Sequence, residues 1–94
     1  MRVQVHPRAW DELVEAAQYY EDRREGKGEE FFNEVERLKS ILCDVQLGPR
    51  IDTRHRKAPL QGFPYSIIYR SESSNLLLIV AIAHNRRRPF WLDR

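Results

Sequence analysis

Apolar positions change their spacing once along this chain, and the change divides it into a helical half and a sheet half. Residues 2–6 alternate polar and apolar, the period of a short strand. Pro7 follows, and proline suits the first turn of a helix, where its missing N–H is not needed. From there Trp10, Leu13, Val14, Ala17 and Tyr20 form an apolar stripe at helical spacing, with Asp11, Glu12, Glu15 and Gln18 outside it. Residues 23–28 break the rhythm with two glycines and predict a turn. A second stripe runs through Phe31, Val35, Leu38, Leu42 and Val45, widened by Phe32 and Ile41, and Gly48-Pro49 is expected to end it. Two amphipathic helices on a short link predict an antiparallel hairpin.

After Pro49 the period falls toward two. Residues 53–60 are polar and basic and contain Pro59, which predicts an edge strand. Phe63, Tyr65, Ile67 and Tyr69 alternate with Pro64, Ser66, Ile68 and Arg70, a half-buried strand; residues 71–75 read as a turn. Residues 76–83 are apolar on both faces, as befits a central strand covered on both sides. The tail, residues 84–94, then carries three arginines followed by Pro-Phe-Trp. The expected fold is α+β, in the order β-α-α-β-β-β: an antiparallel sheet with an N-terminal helical hairpin packed on one face.

Ninety-four residues suffice for one domain, 1–94, with a modest core and no large enclosed pocket. The single cysteine, Cys43, forms no intramolecular disulfide and suits a reducing compartment. His6, His55 and His84 lie far apart in sequence, so no metal cluster or other cofactor site is expected. No signal peptide is readable at the start, and the longest apolar run is eight residues, too short for a membrane span. A cytoplasmic protein without membrane contact is therefore expected. The net charge of +2 hides an asymmetry. Residues 1–49 hold 7 Lys/Arg against 11 Asp/Glu, whereas residues 50–94 hold 9 against 3, which points the second half toward an anionic partner.

An ordered set of motifs now adds to this outline. It comprises Ala17-Gln18-Tyr19-Tyr20, a glycine-bearing link, Glu30-Phe31-Phe32-Asn33-Glu34-Val35 and Gly48-Pro49-Arg50. An Arg-rich strand then leads into Phe63-Pro64-Tyr65 and Tyr69-Arg70, and Ala81, His84, Arg87 and Pro89 complete an Ala-x-x-His-x-x-Arg-x-Pro pattern. Over nearly its whole length the chain resembles the ParE branch of the RelE/ParE toxin superfamily, often labelled plasmid stabilisation proteins. The resemblance implies the toxin of a type II toxin–antitoxin system, which arrests growth until a cognate antitoxin binds it. ParE-like members poison DNA gyrase, and RelE-like members cleave messenger RNA on the ribosome. Antitoxins of such systems wrap a C-terminal amphipathic segment, frequently acidic, around the toxin.

Each implied activity makes its own demands on the basic half. A metal-free ribonuclease must activate a 2′-hydroxyl, stabilise a pentavalent phosphate and protonate the leaving oxygen. Resemblance to RelE would place phosphate binding near Arg56, Lys57 and Arg87, and proton transfer among His84, Tyr65 and the tail aromatics. RelE-type nucleases commonly carry a tail tyrosine, however, and here the tail offers Phe90 and Trp91, neither of which exchanges a proton near neutral pH. The catalytic candidates are therefore His84, Arg87 and Tyr65, should the chain be a ribonuclease. The candidates for binding a target or nucleic acid are Arg54, Arg56, Lys57, Arg70, Arg86, Arg87, Arg88 and Trp91. Three consecutive arginines cannot all point the same way along an extended chain, so at most two of Arg86, Arg87 and Arg88 serve one site. Each candidate also has a structural reading: His84 as the end of a strand, Tyr65 and Tyr69 as core, Trp91 as a cover folded back over the sheet, the arginines as solvated surface. The missing tail tyrosine favours a gyrase-directed toxin over a ribosome-dependent endoribonuclease; an inactive nucleic-acid-binding member is a third reading.

Overall fold

Both apolar stripes become helices, and the alternating segments become one sheet. The structure, a computed structural model, describes residues 1–94 in the order β1 (Arg2–Val5), α1 (Pro7–Arg23), α2 (Lys27–Leu42), β2 (Arg56–Pro59), β3 (Tyr65–Ser73) and β4 (Leu76–His84). Pro7 does open α1, and the His6 ring accepts the Arg8 amide there at 3.1 Å. Gly26, at φ 87°, makes the left-handed turn into α2. Glu21 at the end of α1 accepts the amides of Gly26 and Gly28, so one helix supplies the cap of the next. Gly28 itself is required by packing: a Cβ there would lie 2.6 Å from the Ala17 carbonyl oxygen of α1.

The strands lie in the order β1-β4-β3-β2, with β2 at an edge and β4 inside. β2, β3 and β4 pair antiparallel, as expected, but β1 lies parallel to β4, with Val3 opposite Leu77, so the sheet is mixed. A strand's own residues do not fix its direction when a long connection separates it from its neighbour.

One face of the sheet packs against the helical hairpin through Ala9, Leu13, Phe31, Val35, Leu38, Leu42, Ile67, Tyr69, Leu77 and Ile79, all buried. The other face is covered by the tail: Trp91, 4% exposed, packs on Ile68, Val80, Ala81 and Ala83. That explains the unbroken apolar run in β4. A bulge assists: Ile68 faces Ala81 while Tyr69 faces Ile79, so Val80 is the extra residue, and Val80 and Ala81 both turn toward Trp91.

β1 reaches only as far as Ile79 along β4, which leaves the rest of that edge unpaired by strand. Side chains close it. Glu12 of α1 accepts the Ile82 amide at 3.1 Å, and Arg94 of the tail donates to the Val80 carbonyl at 3.0 Å. Arg94 and Glu12 also form a two-pronged ion pair at 3.1 and 2.6 Å, which fastens the tail to α1 across β4.

Two expectations fail in detail. The second helix stops at Leu42 rather than at Gly48-Pro49, and Val45 stands out in solvent on the following loop. Gly48 serves that loop instead: at φ 89° it lies so close to β2 that a Cβ would meet the Lys57 carbonyl. Trp10, Val14 and Phe32 belong to the apolar stripes but are 47%, 51% and 37% exposed, because the sheet covers a narrower arc than the stripes present. Neither helix is long and apolar enough to cross a membrane.

Candidate functional site

Strand β3 carries a cleft at each end, and the basic candidates are divided between them. At its start Tyr65 pairs in register with His84 of β4, their rings edge-on at 5.2 Å. Around them Glu12, Glu15, Tyr19, Arg87 and Phe90 line a cleft of about 140 Å³. The turn after β4 directs this: the Arg87 amide bonds the His84 carbonyl, and the Arg86 amide donates to His84 Nδ1 at 3.1 Å. With Nδ1 accepting, a neutral His84 ring carries its proton on Nε2. Arg87 lies over the Phe90 ring at 4.5 Å. The three catalytic candidates, Tyr65, His84 and Arg87, therefore do meet.

Carboxylates share their surroundings. Glu12 and Glu15 stand in the same cleft, and Arg87 is its one arginine. Burial, then the neighbouring Tyr19 and Glu15, push the Tyr65 hydroxyl above its ordinary range, and Arg87 opposes this only in part. A phenol held more firmly in its neutral form is a poorer general base near pH 7.

The second cleft, of about 260 Å³, lies at the far end of β3 and is lined by Arg50, Arg54, Arg56 and Arg70 with Gln46, Thr53, Tyr69 and Ser71. Tyr65 and Tyr69 are four residues apart on one strand, about 13 Å at strand rise. Arg56 thus lines a different cleft from Arg87, Tyr65 and His84, and the two clefts share no residue.

The remaining candidates scatter. Arg86, Arg87 and Arg88 are all exposed, and of the three only Arg87 lines a cleft. Lys57 is half-buried on β2 opposite Ile68, also outside both clefts. Trp91, expected at a binding surface, is instead the cover of the sheet's second face. Arg70, expected to be free for a target, is 8% exposed and engaged: Nη1 meets His55 Nε2 at 3.1 Å, and Nη2 donates to the Arg94 carbonyl at 2.9 Å and to Glu72 at 3.2 Å. His55, 1% exposed, donates on its other side to Asp52 at 2.9 Å, which leaves Nε2 to accept from Arg70. Burial would raise the Asp52 carboxyl, but the Arg54 and His55 amides and the His55 ring outweigh it and hold it below the ordinary range.

No role was expected from the sequence for Arg50, Glu12, Glu15, Tyr19, His55 or Arg94. Arg50 at least stands in the Gly48-Pro49-Arg50 motif and Tyr19 in Ala17-Gln18-Tyr19-Tyr20; the others carry no local signal. No group of three or more His, Cys, Asp or Glu residues is placed to hold a metal ion.

Residues 3–89 match the family described as the ParE toxin of the type II toxin-antitoxin system, parDE. No curated protein matches in sequence. Among solved structures, a chain of the chromosomal ParDE toxin-antitoxin system from P. aeruginosa shares the fold. It superposes with a TM-score of 0.79 at 18% identity, covering 89% of this chain and 95% of that one.

Proposed function

The chain belongs to the ParE toxin family of type II toxin-antitoxin systems, and from that premise we propose that it arrests growth by inhibiting DNA gyrase in the cytoplasm and is neutralised by a cognate antitoxin. The observation that carries this reading against messenger RNA cleavage is the division of the basic residues. Phosphoryl transfer needs its cations and its proton carriers around one phosphate. Here Arg56 sits about a dozen ångströms of strand from Tyr65 and His84. The cleft that does hold Tyr65, His84 and Arg87 also holds Glu15, which no ion pair relieves, and Glu12, which Arg94 neutralises, and burial pushes its Tyr65 hydroxyl above the ordinary range.

The antitoxin reading rests on two surfaces. Trp10, Val14 and Phe32 border a shallow apolar groove on the hairpin, a seat for the apolar face of an amphipathic segment. The exposed Arg86 and Arg88 offer cations to its acidic residues.

Induced expression in a bacterial host, with and without Arg87→Ala, tests the assignment together with a supercoiling assay on purified gyrase. The expected outcome is filamentation with intact messages, inhibition of supercoiling by the purified chain, and reversal by the antitoxin. New messenger 5′ ends inside translated codons, lost in Arg87→Ala, would establish the nuclease instead. No arrest at all would leave an inactive, binding-only member.

A further inference from the structure

We propose that the arginine cleft at the end of β3 is a binding site for the phosphodiester backbone of a nucleic acid, read without regard to base sequence. Arg50 and Arg56 face each other across an isolated antiparallel bridge. Like charges placed directly opposite each other are destabilising, and Arg54 adds a third cation to the same wall. The fold supplies no carboxylate to relieve them. Asp52, the acid of the same loop, is occupied by the amides of Arg54 and His55, each at 2.7 Å, and by the His55 ring. Glu72 is occupied by Arg70. Arg50, Arg54 and Arg56 consequently make no ion pair, while the chain's other close ion pairs are distributed over the helices, the tail and Arg70.

The backbone that carries these cations is fixed before any ligand arrives. The loop is pinned by Ile51 N to His55 O at 3.0 Å, by Lys57 N to Pro49 O at 3.1 Å and by the close approach of Gly48 to β2. Arg56 is steadied by one bond, Nη1 to the Gly48 carbonyl at 2.9 Å, which leaves most of its five donors free. The buried Arg70, fixed by His55, forms the floor, and Gln46, Thr53 and Ser71 add uncharged polar groups to the wall.

The lining also selects among anions. Its one apolar member, Tyr69, is 1% exposed, its ring buried and its hydroxyl bonded to the Leu47 carbonyl. No aromatic face is free to stack a base, and no apolar pocket is present to anchor a peptide side chain. What remains is guanidinium and hydroxyl chemistry suited to phosphate oxygens repeated along a backbone.

The site is independent of the gyrase reading, and its test needs neither gyrase nor growth arrest. Anisotropy of a short labelled DNA duplex is measured with the purified chain over a series of salt concentrations. The wild type is expected to bind at low salt with affinity falling linearly on a log–log plot. Arg50→Gln combined with Arg54→Gln is expected to reduce the slope by about two, roughly 0.9 for each phosphate no longer neutralised. Both positions are exposed, and unchanged circular dichroism and melting temperature check that the variant is folded. A slope unaltered by these substitutions but flattened by Arg86→Gln with Arg88→Gln would overturn the proposal. So would stronger competition by polyglutamate than by unlabelled duplex, or saturation by inorganic phosphate with no affinity for the duplex.

Discussion

Against one face of the sheet lies a hairpin of two long helices; against the other lies a ten-residue tail, residues 85–94, with no helix or strand. The hairpin face buries a cluster of 14 residues, and the partly buried rings of Tyr20, Phe63 and Tyr65 interlock with one another and with its Phe31 at centroid distances of 5.0–6.2 Å. The tail face buries only five, gathered about Trp91. Its smaller apolar area is offset by polar links that are wholly or partly buried: Arg94 to Glu12 and Val80, and Asp52 to His55 to Arg70 to Arg94. One face is held by area, with little sensitivity to charge. The other is held by a few directed bonds, which fail one at a time.

Leu38→Asp attacks the first face and should have the largest effect. It places an unpaired carboxylate in the 14-residue cluster, and a domain of this size has too little net stability to absorb it. Helical circular dichroism should be lost; a folded, soluble variant would break the comparison by showing that the hairpin does not depend on that face. Trp91→Ala attacks the second face and should cost about 3 kcal/mol. The helices should persist at a lowered melting temperature while the dye ANS gains access to Ile68, Val80 and Ala83. Simultaneous loss of helix and tail would show instead that both faces are one unit. The smallest effect concerns acid. Asp52 has its folded carboxyl below the ordinary 3.8, so its contribution is complete above that value and is lost as pH falls through the folded value. Melting temperature should drop below about pH 4 more steeply in the wild type than in Asp52→Asn; equal slopes would detach this loop from the stability of the tail face.

Periodicity carried the helices and strands because burial against a neighbour imposes it, and both stripes and the two-sided apolar run of β4 were legible for that reason. It overshot where apolar residues lie beyond the sheet's reach, at Trp10, Val14, Phe32 and Val45. It was silent on partners joined only by folding. Glu12 and Arg94 are 82 positions apart, and nothing local marks either one. Arg70 and His55 read as surface charge and lone histidine, because a buried guanidinium is recognisable only with its acceptors in view. The meeting of Tyr65, His84 and Arg87 was foreseeable from the family motif, whereas their separation from Arg56 depends on strand register.

The parallel pairing of β1 with β4 sets the order of events during synthesis. Val3 leaves the ribosome 74 residues ahead of its partner Leu77, and the connection that must close between them includes the whole helical hairpin. The helices form from neighbours already made, whereas the sheet that buries their apolar faces lacks its central strand until near the end of translation. For most of its synthesis the nascent chain therefore holds an exposed hairpin and an unpaired first strand. Both clefts are completed only once β3 has been laid down, and the Tyr65 cleft only when β4 and the tail emerge.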